Sequence, residues 1–464
     1  MWRQKNSENG GMAVRLRCGN GRDGPATTVA SARDVLRLAV PALGALVAEP
    51  LFLLADSAIV ATLGTLPLAG LGIAGAVLGT AVSVFVFLAY ATTAGVARRL
   101  GAGNEKGALS QGVDVMWLAL GLGVLTSIVV LTLAGPVVDA LGVSAAARPY
   151  ALTYLRFSIV GLPGMLVVLA TTGVLRGLLD TRTPLVVAGT GAVLNVALNL
   201  LLVHGVGWGI AGSAIGTAVT QVLMALALAV VVVRGVRRTG ARVWPRPIGI
   251  LRNAREGLPL LVRTITLRVA ALLTTFVAAA QGDAAIAAHQ VANTIWTTTA
   301  LTLDALAIAA QALVGRALGA VEVAGVRMTI RRMARWGAGT GVVLGIAVGL
   351  GASPLAGLFA PDRDVQRYLT ATLVVLAACL PLAGWVFVLD GVLIGAGDGK
   401  YLAGAGIVTL ACYVPPALVV LDVGPPGRAG LVWLWVCFAG VYSLARLATL
   451  VRRVRGDTWM VTGV

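Results

Sequence analysis

The run Leu46 to Gly64, LVAEPLFLLADSAIVATLG, holds two carboxylates and a proline inside a segment otherwise apolar enough to sit in a bilayer. A charge at mid-membrane costs at least about 2.5 to 3.5 kcal/mol, so Glu49 and Asp56 each need a partner or a function. Seven residues apart, they fall on nearly the same helix face, roughly 10 Å apart along the axis. Pro50 removes a backbone hydrogen bond between them and predicts a kink. Pro41 and Pro259 predict kinks at two further points.

The surrounding chain has the same character. It has 464 residues, of which 58% are hydrophobic and 12% charged, and its mean hydropathy is +0.91. No soluble class fits, and the apolar runs lack the period-two alternation of barrel strands, so an all-α integral membrane protein is expected. Apolar runs of about 20 residues recur about twelve times. The net charge of +17 sits in alternate loops, for example Arg98 and Arg99, Arg234 to Arg246, and Arg327 to Arg335. The opposite loops carry little beyond Arg148, Arg363, Arg367 and Arg428. This asymmetry is a topology signal, so both termini are expected to be cytoplasmic, in a multi-pass protein of the cell (inner) membrane. Nucleic acid is not an expected partner. Cys18, Cys379, Cys412 and Cys437 have no ligand-like spacing, so no disulfide, metal or cofactor is expected.

Sliding the chain against itself by about 218 residues brings its halves into register. Pro41 then meets Pro259, Gly64 meets Gly282, Arg98 meets Arg316, Leu162-Pro163 meets Leu380-Pro381, and Asp180 meets Asp398. Six spans per half is an even number, so the halves enter the membrane in the same orientation. The expected architecture is two pseudo-symmetric six-helix lobes around a central cleft, the geometry of alternating access. The divisions read as a polar tail 1–33, an amino-terminal lobe 34–234, a linker 235–251, a carboxy-terminal lobe 252–453 and a tail 454–464. GNGRDG, with Gly19, Gly21 and Gly24, has no strand before it and carries no nucleotide reading. GAGDGK, Gly395 to Lys400, lacks P-loop spacing.

Depth along the spans groups the polar residues. Asp56 lies in the outer half of the first span, and Arg156, Asn195 and Asn199 come out at the same level. A carboxylate with two carboxamides suits a proton or a small cation, since amide oxygens can also ligate Na⁺. The alternative is a static Asp56–Arg156 ion pair. In the other lobe Arg268 and Asp304 share a depth and are candidates to pair. Arg263, Gln290 and Gln311 add polar surface as cavity or structural residues, and Asp390 is assigned to the inner rim. His204 and His289 are read as hydrogen-bonded structural residues, His204 near the outer interface.

AEPLFLLADSAIVATLG, AAHQV at Ala287 to Val291 with Gln311 downstream, LDGVLIGAGD at Leu389 to Asp398 and LNVALN at Leu194 to Asn199 together resemble the multidrug and toxic compound extrusion (MATE) family. They are most similar to its DinF branch. The resemblance covers nearly the whole chain beyond the tail. It implies twelve helices in two lobes and cation-coupled export of small organic compounds, amphipathic or cationic, by a monomer. On the matching positions it implies that Asp56 couples the cation and that Asn195 and Asn199 complete its site. Some members carry an aspartate where this chain has Asn199, which makes Glu49 the candidate second carboxylate. The leading expectation is an antiporter driven by H⁺, or alternatively Na⁺. A lipid-linked precursor flippase would favour a more cationic cavity, to which Arg156, Arg263 and Arg268 would contribute. A membrane-embedded enzyme lacks the metal or nucleophile cluster that it would need.

Overall fold

A computed structural model describes residues 31–463; Cys18 and the glycines of GNGRDG lie outside the described residues. Twelve helices among them are long and apolar enough to cross a membrane: α1 (Ala32–Ala61), α2 (Thr65–Gly101), α3 (Glu105–Thr132), α4 (Arg148–Gly177), α5 (Arg182–Gly205), α6 (Gly209–Thr239), α7 (Pro247–Ala280), α8 (Asp283–Gly319), α9 (Val323–Phe359), α10 (Arg363–Gly395), α11 (Gly399–Asp422) and α12 (Arg428–Arg455). The described residues contain no strand, as a bilayer demands of backbone groups that must be satisfied within their own segment.

Local signals account for the helix ends. Ser31 caps α1, accepting from the Asp34 amide while the Asp34 carboxylate accepts from the Ser31 amide. Gly64 and Gly282 stand at φ 115° and 103° ahead of α2 and α8, conformations that glycine adopts without strain. Between α3 and α4, Arg148 donates twice to Asp139, at 2.5 and 2.9 Å. The guanidinium holds the Asp139 carboxyl below the usual carboxylate range.

Helices α1–α6 form one lobe and α7–α12 the other, and the two meet over only half their height. At the ends bearing the Arg-rich loops a single core runs through both lobes, joining Val35 and Leu38 of α1 and Leu88 of α2 to Leu306 and Val314 of α8 and Leu393 of α10. Towards the opposite face each lobe has its own core, around Val60, Leu71 and Tyr154 in one and Leu373, Tyr413 and Trp435 in the other. The central cleft therefore opens away from the Arg-rich loops.

The seam is built by the repeat itself. A Cβ on Gly101 of α2 would fall on the Arg316 carbonyl, and a Cβ on Gly319 of α8 would fall on the Arg98 carbonyl. These are equivalent positions in the two halves, so one backbone crossing is made twice, as a two-fold axis along the membrane normal requires. Arg98 then crosses to the other lobe, donating to the Ala396 carbonyl at 3.0 Å and to the Val461 and Gly463 carbonyls at 2.6 and 3.0 Å. The segment after α12 lies against this seam with Trp459 buried.

On α8, Gln290, Thr294 and Thr297 lie within about 40° of Gly319 by the 100° rotation per residue. The face that meets α2 at the seam therefore continues as a cleft wall once the helices part. Gln290, Thr294 and Thr297 are exposed there, and both threonine hydroxyls bond back to their own helix.

Gly319→Val should force the seam apart, because overpacking costs about 1 to 3 kcal/mol, or roughly a five-fold or greater shift in population. In a background without the native cysteines, Ala97→Cys, buried at this seam, should then label at least about five times faster with a polar thiol reagent. Unchanged labelling would show that the glycine crossing does not hold the lobes together.

Candidate functional site

Asp56 is 1% exposed and faces α4, α5 and α6. Three neutral donors reach its carboxylate. The Tyr154 hydroxyl of α4 donates to Oδ2 at 2.7 Å, while the Asn199 amide of α5 and the Ser213 hydroxyl of α6 donate to Oδ1 at 2.6 and 2.5 Å. Asn199 also donates to Asn195 Oδ1 at 3.2 Å, and Asn195 donates to Thr217 Oγ1 at 3.2 Å. Both asparagines are fully buried. Asn199 Oδ1 is buried with no hydrogen-bond partner, in a setting where an unpaired acceptor costs about 1 to 3 kcal/mol. Gly216 allows this packing, since a Cβ there would fall on Asn199 Oδ1. Directly after Asn199, α5 widens into a π-helical turn over Leu201–Gly205, a distortion frequent at functional sites.

Among the described residues, no arginine, lysine or histidine bonds to Asp56. Arg156, expected at this depth, is exposed and does not reach it. It lies two residues beyond Tyr154, about 200° around the helix, so it points away while Tyr154 points in. The static Asp56–Arg156 pair does not form. Glu49 is also exposed and bonded to none of the Asp56 partners. It shares the face of Asp56 but sits two turns away, where α1 is exposed at Val47, Pro50, Leu51, Leu53 and Leu54. Pro41 and Pro50 lie inside α1, and Pro259 lies inside α7.

The equivalent positions of the other lobe carry no such site. Residues 218 further on, Asp56 becomes Thr274, Tyr154 becomes Thr372, Asn195 becomes Tyr413 and Asn199 becomes Ala417. Thr274 and Tyr413 hydrogen-bond to each other at 2.6 Å, and Tyr413 packs against Phe438 with ring centroids 6.0 Å apart. His289 is buried nearby, with Nε2 3.1 Å from the Thr275 hydroxyl. His204 reaches Thr62 at 3.1 Å.

Asp304 and Asp390 lie nearer the Arg-rich end, and the pairing of Asp304 differs from expectation. Arg268 is exposed and does not pair with Asp304, because it lies two residues from both Thr266 and Ala270, about 160° around α7 from the buried stripe that they mark. Asp304 instead accepts from Tyr90 of the other lobe at 3.4 Å to each oxygen, with Arg176 and Arg263 in electrostatic reach. Arg263 makes a bidentate bond to Asp390, and Arg446 approaches the same carboxylate at 3.3 Å. Asp390 is thus a paired structural acid. Gln311 is buried and donates to the Tyr90 carbonyl at 2.5 Å, while Gln290 stays on the exposed cleft wall.

Tyr154, Ser213, Thr217, Tyr90, Arg176 and Arg446 escaped the sequence reading. Ser213 and Thr217 repeat on α6 the four-residue spacing of Asn195 and Asn199 on α5, a signal that could have found them. Arg176 and Arg446 lie close enough to helix ends to merge with the basic loops.

The MatE family model matches this chain twice, at residues 41–201 and 259–419, a displacement of 218 that equals the register of the repeat. Protein DETOXIFICATION 45, chloroplastic, of Arabidopsis thaliana is 28% identical over 466 residues, covering 94% of this chain and 81% of the relative. DNA damage-inducible protein F of Escherichia coli (strain K12) is 25% identical over 439 residues, covering 92% and 94%. Among solved structures, the outward-facing conformation of a multidrug resistance MATE family transporter superposes with a TM-score of 0.81 at 23% identity, covering 91% of this chain and 95% of that one.

Breaking the buried Arg263–Asp390 pair should destabilise the fold. Asp390→Leu, which strips both Arg263 and Arg446 of their carboxylate, is expected to cost about 3 to 5 kcal/mol, read as a drop in the detergent thermal midpoint, and adding Arg263→Met and Arg446→Met should recover much of it. Additive losses would show that the three groups do not act as a unit.

Proposed function

The chain belongs to the MatE family of membrane transporters, and we propose that it is a proton-coupled antiporter that exports small organic compounds by alternating access. One observation carries this reading. Asp56 is 1% exposed and its three hydrogen-bond donors are all neutral, so its negative charge has no fixed counterion and a mobile cation is the missing partner. Asp390, by contrast, has two guanidinium groups upon it.

A proton bound at Asp56 turns one acceptor oxygen into a donor. Asn199 Oδ1, buried and unpartnered, supplies the lone pair that the new hydroxyl needs. Protonation also removes the charge that strengthens all three donated bonds, so the contacts of α1 with α4, α5 and α6 weaken and can rearrange. Pro50 weakens α1 six residues before Asp56, so the helix can respond by bending. In this scheme the ion, taken up from the open cleft, changes how α1 seats in its lobe and favours parting of the seam. The cycle reverses when the proton leaves on the Arg-rich side. Na⁺ could use the same oxygens, with Asn195 and Asn199 as ligands.

The charge asymmetry of the loops supports a cell-membrane protein with the Arg-rich face and both termini in the cytoplasm. The cleft then opens outwards, and the substrate leaves along the wall carrying Gln290 and Thr294. We take the transporting unit to be the monomer, with no cofactor.

The test is dye uptake into inverted membrane vesicles. An imposed pH gradient should drive uptake of a lipophilic cationic dye, and Asp56→Asn should reduce it at least about ten-fold at equal protein level, as expected when a buried charge-assisted hydrogen-bond set is lost. Uptake that requires Na⁺ would reassign the ion. Wild-type uptake by Asp56→Asn would remove Asp56 from the mechanism. Movement of labelled lipid without dye uptake would support the flippase.

A further inference from the structure

The face opposite the Arg-rich loops carries few basic residues, yet three of its four loop arginines gather in one place. Arg148 is bound to Asp139, whereas Arg363, Arg367 and Arg428 together line a cleft of about 400 Å³ with Gln366, Thr370 and Ser353. Placing positive charge here runs against the bias that orients the helices, so topology does not explain it. It lies about 45 Å along α10 from Gly395 at the seam, by the rise of 1.5 Å per residue, and in the other lobe from the Asp56 site.

The local acids do not neutralise the cluster. Arg367 has a loose contact with Asp364 at 3.4 Å, both side chains being largely exposed. Asp362 is occupied as the cap of α10, accepting from the Asp364 amide at 2.7 Å. Arg363 and Arg428 have no carboxylate partner among the described residues. They also stand at the first turns of α10 and α12, where helix dipoles add positive potential. Three guanidinium forks with amide and hydroxyl groups between them match the tetrahedral oxygens of a phosphate.

The flanks indicate where that phosphate comes from. One helical turn deeper on α9, Leu350 is 79% exposed below Ser353, and one turn deeper on α10, Val374 is 54% exposed below Thr370. An apolar lane therefore descends from the charged cleft towards the bilayer core. We propose that this cleft binds the phosphate of an anionic lipid headgroup, with the acyl chains lying along Leu350 and Val374.

Native mass spectrometry of the purified full chain, titrated separately with phosphatidylglycerol, phosphatidylcholine and inorganic phosphate, tests this. Phosphatidylglycerol should be retained in preference to phosphatidylcholine, and Arg363→Gln with Arg428→Gln should weaken its retention at least about ten-fold. That variant should keep the thermal midpoint and dye uptake of wild type. Equal retention of the two lipids, or undiminished phosphatidylglycerol binding by the double variant, would overturn the proposal. Inorganic phosphate held as tightly as the lipid would overturn the lipid assignment in favour of a free anion.

Discussion

A carboxylate buried among helices in a bilayer has no water to fall back on, and the fold is arranged around three different answers to that problem. Asp390 takes two arginines and becomes a fixed strut of the carboxy-terminal lobe. Asp304 takes a tyrosine from the opposite lobe, so its satisfaction depends on the two halves being together. Asp56 takes hydroxyl and amide donors from three helices of its own lobe, which satisfies its lone pairs and leaves its charge open. The same residue type thus serves as a strut, an inter-lobe contact and an open buried charge, according to whether its partners are charged, remote or neutral.

Those roles are connected through α2 and α8. Both run the height of the protein, from the open cleft to the reciprocal glycine crossing, and Tyr90, Asp304 and Gln311 link them partway along. Helices that approach without intervening side chains pack tightly, backbone against backbone. Burial of polar bonds at the seam strengthens the closed arrangement.

Much of this was legible in the residues. Span number, the two-lobe repeat and the grouping of Asp56, Asn195 and Asn199 follow from hydropathy, a fixed register and the rarity of polar groups in apolar runs. Depth was readable because it scales with residue count. Azimuth was not: Arg156 and Tyr154 share a depth, but which of them faces Asp56 depends on how α4 is rotated against its neighbours. The same ambiguity lies behind Arg268, which has the right height for Asp304 and the wrong side of α7. Partners from the other lobe, such as Tyr90, were out of reach because nothing in one helix records which surface it will meet across a seam.

The bond between Thr274 and Tyr413 has a wider consequence. If the halves descend from one duplicated ancestor, their shared prolines, glycines and arginines record what was needed to fold and to meet symmetrically. The exchange of Asp56 and Asn195 for Thr274 and Tyr413 records something else. Asp56 meets only neutral donors, whereas Thr274 and Tyr413 satisfy each other, so the counterpart position holds no charge to balance. One repeated frame thus carries an open charge in one half and a closed, self-satisfied contact in its sister.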